Sequence, residues 1–407
     1  MHFRKQTAHV DVSVANSFTV GMQLLLATAC GILIASLYYA QPLTGLIAES
    51  LGMPARSAGL LVTVPLLGYG VGLLFLVPLG DVFENRRLVL TLVGIEALCL
   101  LAISGIPHPV FFLAVSFVMG TAAAAVQLLV PYVTYMAPEA VRGQAVGKVV
   151  SGVMIGILVA RPLSSLVADF WSWRAMFGIA ALLTASLFVV LLLALPPRRP
   201  DSGLSYLALL RSMGWIFAST ELLRRRGLYH SCMFGAFIAF WTAAPLWLSG
   251  PQFGLTQTSI AWVALAGAAG VVASPLAGGL ADMGFVKRGT VVALACATGA
   301  FLLSCFAKDG SRFSIAVVVC TAVILDSAVA AHLVFSQRVI YSLEPKERSR
   351  ANALFMATFF SGGALGSTLS GWAYSHLGWN GVAGFGAALP LFALLYFATG
   401  QPEPTES

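Results

Sequence analysis

Asp326 interrupts the apolar run "VVVCTAVILDSAVAAHLVF" with a carboxyl group, and His332 follows six residues later. Glu96 does the same in "LVGIEALCLL", and Arg161 places a guanidinium inside "GILVARPLSS". Groups of this kind among apolar neighbours do proton and ion chemistry. A buried carboxyl can take up and release a proton, and an imidazole titrates near neutrality. A guanidinium can hold an anion or clamp backbone carbonyls. Six residues of helix turn through about 600°, so Asp326 and His332 do not share a face. Around these groups lie aromatic and hydrogen-bonding side chains in other apolar runs: Tyr38, Tyr39, Gln41, Gln127, Trp241, Thr242 and Gln337.

The elements that must carry these groups are set by composition. Of 407 residues, 58% are hydrophobic and 10% charged, and the mean hydropathy is +0.89. Soluble domains carry about a quarter charged residues, so the solvent for this surface is lipid. A span needs roughly 20 apolar residues to cross about 30 Å of hydrocarbon. Such runs lie near 19–47, 57–80, 88–106, 109–136, 144–168 and 174–196, and again near 228–250, 258–281, 289–307, 312–341, 350–374 and 380–399. An all-α membrane protein of twelve spans is expected. Arg161 would then sit in hydrocarbon, at a cost of about 2.5 to 3.5 kcal/mol on the lenient insertion scale. It must have partners, and two roles are open: a substrate or gate contact, or a fixed clamp between helices.

The polar start "MHFRKQTAHVDVSVANS" precedes an apolar run too long for a signal-peptide core, so a retained first span is expected. The six cysteines lie in apolar stretches without metal-ligand or disulfide spacing, and read as small core residues. The net charge of +7 is explained by placement, not by nucleic acid: with the N-terminus inside, most Lys and Arg fall in cytoplasmic segments. Both termini are therefore expected in the cytoplasm. No Gly-x-x-x-x-Gly-Lys-Ser/Thr loop is present to bind ATP phosphates. No metal site and no cofactor are expected.

The chain repeats itself. Asp81 with Arg86 and Arg87 in "PLGDVFENRRL" returns at one constant offset as Asp282 with Lys287 and Arg288 in "GGLADMGFVKRG". "GILVARPLSSLVADFWSW" (156–173) aligns in the same way with "GGALGSTLSGWAYSHLGW" (362–379), bringing Gly156 onto Gly362. The longest polar interruption runs from "PPRRPDSG" to "ELLRRRG", and its middle has the apolar spacing of a short amphipathic helix on a membrane surface. Three parts follow: a six-span bundle over 1–197, a linker with a short helix over 198–227, and a second six-span bundle over 228–407. Internal repeats of this kind mark secondary transporters, with the solute site at the repeat interface.

These residues resemble the major facilitator superfamily across essentially the whole chain. The 78–88 loop is similar to that family's Gly-x-x-x-Asp-Arg-x-Gly-Arg-Arg motif, with Val77, Val82 and Glu84 departing from it. "YYAQP" at 38–42, "LDSAVAAHLVFSQ" at 325–337 and "SGGALGS" at 361–367 resemble a bacterial subgroup of drug and sugar efflux permeases. The resemblance implies two pseudo-symmetric six-helix bundles and a cytoplasmic charge latch. In that latch Asp81 would face the start of span eleven near Ser349, and Asp282 the start of span five near Gly143. It also implies that spans five and eleven line the contact between bundles, through the small residues Gly152, Gly156, Gly362 and Gly366. Arg161, followed by Pro162, stands where the family's antiporter motif has its proline.

The same resemblance places spans one, four, seven and ten around the cavity. Asp326 is then the first candidate for a proton-carrying or cation-recognising carboxylate, with His332 and Glu96 behind it. Tyr38, Tyr39, Gln41, Gln127, Trp241, Thr242, Gln337 and Arg161 are the candidates for the cavity wall. The expected activity is proton-coupled efflux of a small amphiphilic solute by alternating access, as antiport. An importer or uniporter of the same fold is the alternative, and a membrane-embedded enzyme or receptor a remote one. The six histidines are scattered along the chain without a catalytic constellation. The implied partners are a small-molecule solute, protons and the lipid bilayer. A monomer in the bacterial inner (plasma) membrane is expected.

Overall fold

The computed structural model describes residues 19–138, 141–200, 205–267, 269–344 and 347–400. Among the described residues there are twelve spans. They are α1 (Val20–Ala35), α2 (Leu60–Phe75), α3 (Asn85–Gly105), α4 (Pro109–Ala123 continued by Ala125–Met136), α5 (Arg142–Phe170) and α6 (Trp173–Ala194). The second set is α7 (Glu221–Ser249), α8 (Gln257–Ala266 continued by Ala269–Asp282), α9 (Val286–Ser304) and α10 (Arg312–Ile340). A final helical stretch, Arg348–Ala398, is broken at Gly378 into α11 and α12. At Gly378 φ is 62° and ψ is −157°, a region only glycine occupies without strain. Two spans follow from one continuous apolar stretch because that one residue reverses the chain.

The first span ends early. After Ala35 the backbone changes to i→i−3 bonds, Leu37 N to Ile34 O and Tyr38 N to Ala35 O, and Pro42 has no N–H to offer. Tyr38, Tyr39 and Gln41 therefore lie on a buried non-helical segment that leads into a short helix, Thr44–Ser50. Irregular backbone at this depth is tolerated because it is enclosed by protein.

Glycines set the closest helix contacts. A β-carbon on Gly31 would stand 2.8 Å from Gly152 O, and one on Gly152 or Gly156 would collide with Ala27 O or Gly31 O. A β-carbon on Gly362 would stand 2.5 Å from Ser231 O, and one on Gly366 would collide with Gly235 O. The expectation that these four glycines join the bundles is corrected here. Gly152 and Gly156 seat α5 on α1, while Gly362 and Gly366 seat α11 on α7. Each pair acts within one set of six helices, because small residues four apart bring backbones together wherever two helices run side by side.

A different glycine serves the contact between the sets. A β-carbon on Gly59, just before α2, would stand 2.5 Å from Ser367 O on α11. Ser367 Oγ donates to Gly59 O at 2.8 Å, and the hydroxyls of Thr63 and Thr368 are 2.8 Å apart. Asp169 at the end of α5 accepts from the Thr258 N–H at the start of α8, at 3.3 Å. At the opposite end a linker helix, Tyr206–Ser219, lies against both sets: Tyr206 Oη donates to Phe75 O at 2.9 Å, and Ser212 Oγ accepts from Arg350 at 2.6 Å. It buries Leu209, Met213 and Ile216 and leaves Leu207 and Trp215 exposed.

Gly362→Leu should destabilise the protein by at least about 1–3 kcal/mol, the scale of overpacking in a filled interior. Gly278→Leu, where a β-carbon meets nothing within 4 Å, is the control. Thermal unfolding in detergent reads the difference, and equal midpoints for the two variants would show that the α7–α11 contact can open freely.

Candidate solute cavity

A cavity of ≈ 160 Å³ lies between the two sets of helices. Its wall is apolar for the most part, and its charged groups are Arg161 from α5 and Asp326 from α10. Arg161 is 4% exposed. Its Nε donates to Gln41 Oε1 at 2.7 Å, and its Cζ lies 4.8 Å from the ring centres of Phe237 and Trp241 and 5.3 Å from that of Tyr38. A desolvated cation over an aromatic face gains about 2 kcal/mol, and a charge-assisted hydrogen bond about 1.5–3 kcal/mol. Together these are enough to offset the insertion cost of the guanidinium.

Arg161 and Asp326 attract each other but form no direct ion pair. Trp241 stands between them. Its Nε1 donates to Asp326 Oδ1 at 2.9 Å, while its ring carries Arg161. Gly267 leaves room for Asp326 Oδ2, with which a β-carbon at that position would collide. The result is a line of contacts: Gln41, Arg161, Trp241, Asp326. It uses the non-helical segment after α1, then α5, α7 and α10.

Of the other candidates, Tyr38 and Gln127 line the cavity, and Gln127 Nε2 donates to Tyr69 Oη at 3.1 Å. Tyr39 is buried beside Glu96 and away from the cavity. Glu96 is fully buried on α3, with the Ser36 hydroxyl beside it already donating to Leu33 O at 2.8 Å. Thr242 turns toward α11, its hydroxyl 3.2 Å from that of Ser367. Gln337 is half-buried outside the cavity.

His332 is buried and does not line the cavity, but it meets a partner that does. Its Nδ1 is 2.9 Å from Nδ1 of His230, with the rings nearly parallel. The pair needs one donor and one acceptor, so the two rings hold complementary tautomers. The histidines are thus not all scattered, as their sequence positions suggest. Arg226, expected in a cytoplasmic segment, is fully buried near this pair, donating to Thr290 Oγ1 at 3.0 Å.

The paired loops differ from each other. Asp81 shares a ≈ 60 Å³ cavity with Arg198, Ser349 and Arg350, and Arg198 and Arg350 act on its charge. Arg86 donates to Leu192 O at 2.6 Å, and Arg87 pairs with Glu84 at 3.3 Å, so both basics serve their own loop and α6. Asp282 pairs with Arg338 at the end of α10, at 3.3 Å. The surroundings of its expected counterpart, Gly143, are outside what the structure describes. Arg288 lies over Phe285 at 5.7 Å, and Lys287 follows Val286 at the start of α9.

Sequence reasoning missed His230, Tyr69, Phe234, Phe237, Phe359 and Phe360, all on the cavity wall. A signal was present: His230, Phe234 and Phe237 recur at i, i+4 and i+7, one face of α7.

Residues 24–340 match the sequence profile of the Major Facilitator Superfamily. The chain belongs to that superfamily. It is 36% identical over 377 residues to the transporter YgaY of Escherichia coli O157:H7, covering 93% of this chain and 95% of the relative. It is 36% identical over 367 residues to the probable transporter SCO4007 of Streptomyces coelicolor, covering 89% and 84%. Its fold is similar to that of the nucleoside transporter NupG, with a TM-score of 0.70, 17% identity, and 94% and 100% of the two chains covered. It is a multi-pass membrane transporter of a small solute.

Trp241→Phe keeps an aromatic face for Arg161 but removes the N–H that Asp326 accepts. The loss should be about 1–3 kcal/mol of stability, read as a lower thermal midpoint. An unchanged midpoint would show that this hydrogen bond contributes nothing to the fold.

Proposed function

We propose that this superfamily member moves a small solute through the Arg161–Asp326 cavity by alternating access, with a proton carried on Asp326. The carrying observation is the indirect pairing of the two charges: Trp241 keeps them near each other without an ion pair, so Asp326 can change charge without breaking a salt bridge. The halves 1–197 and 228–407 rock about the cavity, and 198–227 tethers them. The tight Gly59–Ser367 contact forms one gate. Asp81 with Arg350, under the linker helix, forms the other. Both termini lie in the cytoplasm, the protein acts as a monomer in the bacterial inner membrane, and no bond is made or broken in the solute.

Resemblance to drug and sugar efflux permeases favours export. The sign of coupling follows from the solute's charge. A cation would compete with the proton for Asp326 and give exchange, as the sequence suggests. An anion would bind with the proton and leave with it, driven outward by its own gradient. His332, six residues after Asp326 on α10 and paired with His230, is the further candidate for a proton relay.

Proteoliposomes enclosing a pH-sensitive dye test this reading, with tetraphenylphosphonium, glucose and 3-phenylpropionate each supplied under a gradient. At least one solute should carry protons with wild type, and Asp326→Asn should abolish the proton signal while the protein remains folded. Solute flux without proton movement, equal in the two proteins, would remove Asp326 from coupling and leave a uniporter.

A further inference from the structure

Among the described residues, the fully buried polar atom on the cavity wall that lacks a partner is a donor. Arg161 Nη2 is buried and pairs with nothing among the described residues, although Arg161 lines the cavity. Behind the wall, Gln41 Nε2, in the amide that holds Arg161 Nε, is unpaired too. A buried donor left unsatisfied costs about 1–3 kcal/mol, more when charged. Such a group persists where a ligand completes it. The unpaired buried acceptors of Glu96, Gln257 and Asn352 are not on the cavity wall.

The acceptor that does face this region is Asp326, and its Oδ1 is already taken by Trp241. An ammonium solute would have only Oδ2, with Arg161 repelling it from the same cavity. The aromatic faces nearest Asp326 are occupied: Phe237, Trp241 and Tyr38 already carry Arg161, which leaves Phe234, Phe359 and Phe360 on the wall. A guanidinium whose Nη2 is unpaired in an apolar chamber calls for one oxyanion. A second negative charge would have no counter-charge, at a cost of several kcal/mol. The cavity, at ≈ 160 Å³, is also below the roughly 300–1,000 Å³ that drug-sized ligands fill.

We propose that the solute is a small organic acid with a single carboxylate on an apolar or aromatic body. The carboxylate binds Arg161 Nη2 with Gln41 beside it, and the body lies against Phe234, Phe359 and Phe360. This deepens the transport reading above and rests on it for the cavity's role. It also fixes the sign of coupling. With Asp326 ionised, Arg161 is already compensated through Trp241, and an added anion meets net repulsion. With Asp326 protonated, Arg161 is free to hold the anion. Proton and acid then travel together, in place of the exchange expected from sequence.

The test uses three probes that share one body: 3-phenylpropionate, 3-phenylpropionamide and 3-phenylpropylamine. Each is titrated against the full chain in nanodiscs, with the thermal midpoint as readout at pH 6 and pH 8. The acid should raise the midpoint, more strongly at pH 6, and the amide and amine should not. Gln41→Met should weaken the acid by roughly tenfold or more, the scale of one lost charge-assisted contact, and Arg161→Gln should abolish its effect. Asp326→Asn, a neutral mimic of the protonated acid, should bind equally at both pH values. Should Arg161→Gln fail to fold, Gln41→Met and the pH comparison carry the test. A response to the amine or amide as strong as to the acid, or no response to any of the three, overturns the assignment. Binding of the acid without proton movement in liposomes would leave the assignment standing and remove the coupling. Proton movement driven by tetraphenylphosphonium alone would do the reverse.

Discussion

A guanidinium enclosed by hydrocarbon must be surrounded, and the middle of this structure is arranged to do so. Arg161 draws on an amide from the segment after α1, two rings from α7 and one more from that segment. Each contact is modest alone. Together they require that α1, α5 and α7 converge at one depth, and the glycine contacts of α5 on α1 and α11 on α7 are what allow it. The break of α1 at Ala35 belongs to the same constraint. The segment after the break brings Tyr38 and Gln41 to Arg161 together.

The two sets of helices share an architecture but not their electrostatics. The buried charges facing the cavity come one from each set, Arg161 on α5 and Asp326 on α10. The second set also buries the His230–His332 pair with Arg226 nearby, where the first set buries Glu96. The repeated loops diverge likewise: Asp81 works across toward Arg350, whereas Asp282 pairs within its own set with Arg338. A repeat visible in spacing is therefore not a repeat in interactions.

Much of the fold was legible because lipid imposes a simple rule: apolar stretches of sufficient length become helices that satisfy their own backbone. The twelve spans, the linker helix and the outlying charges Asp326 and Arg161 could all be read from composition and interruption. Partnership could not be. Trp241 was recognisable as an aromatic in span seven, but its position between two charges depends on the relative rotation of α5, α7 and α10. Glycine spacing revealed close packing without saying against which neighbour, so Gly152 and Gly362 were assigned to the wrong interface. His332 looked isolated because its partner His230 lies 102 positions away in sequence. The one local pattern that was overlooked, His230 with Phe234 and Phe237, was hidden in a helix so apolar that its cavity face resembles its packing faces.

The position of Trp241 has an optical consequence. An indole's emission colour follows the electric field across its ring, and this indole is held with a guanidinium over its face and a carboxyl at its nitrogen. Any change of charge at either end alters that field directly, with no helix movement required. The chain contains eight tryptophans. A version retaining Trp241 alone would carry a dye already installed at the centre of the molecule, whose spectrum distinguishes a change of charge in the cavity from a change of shape around it.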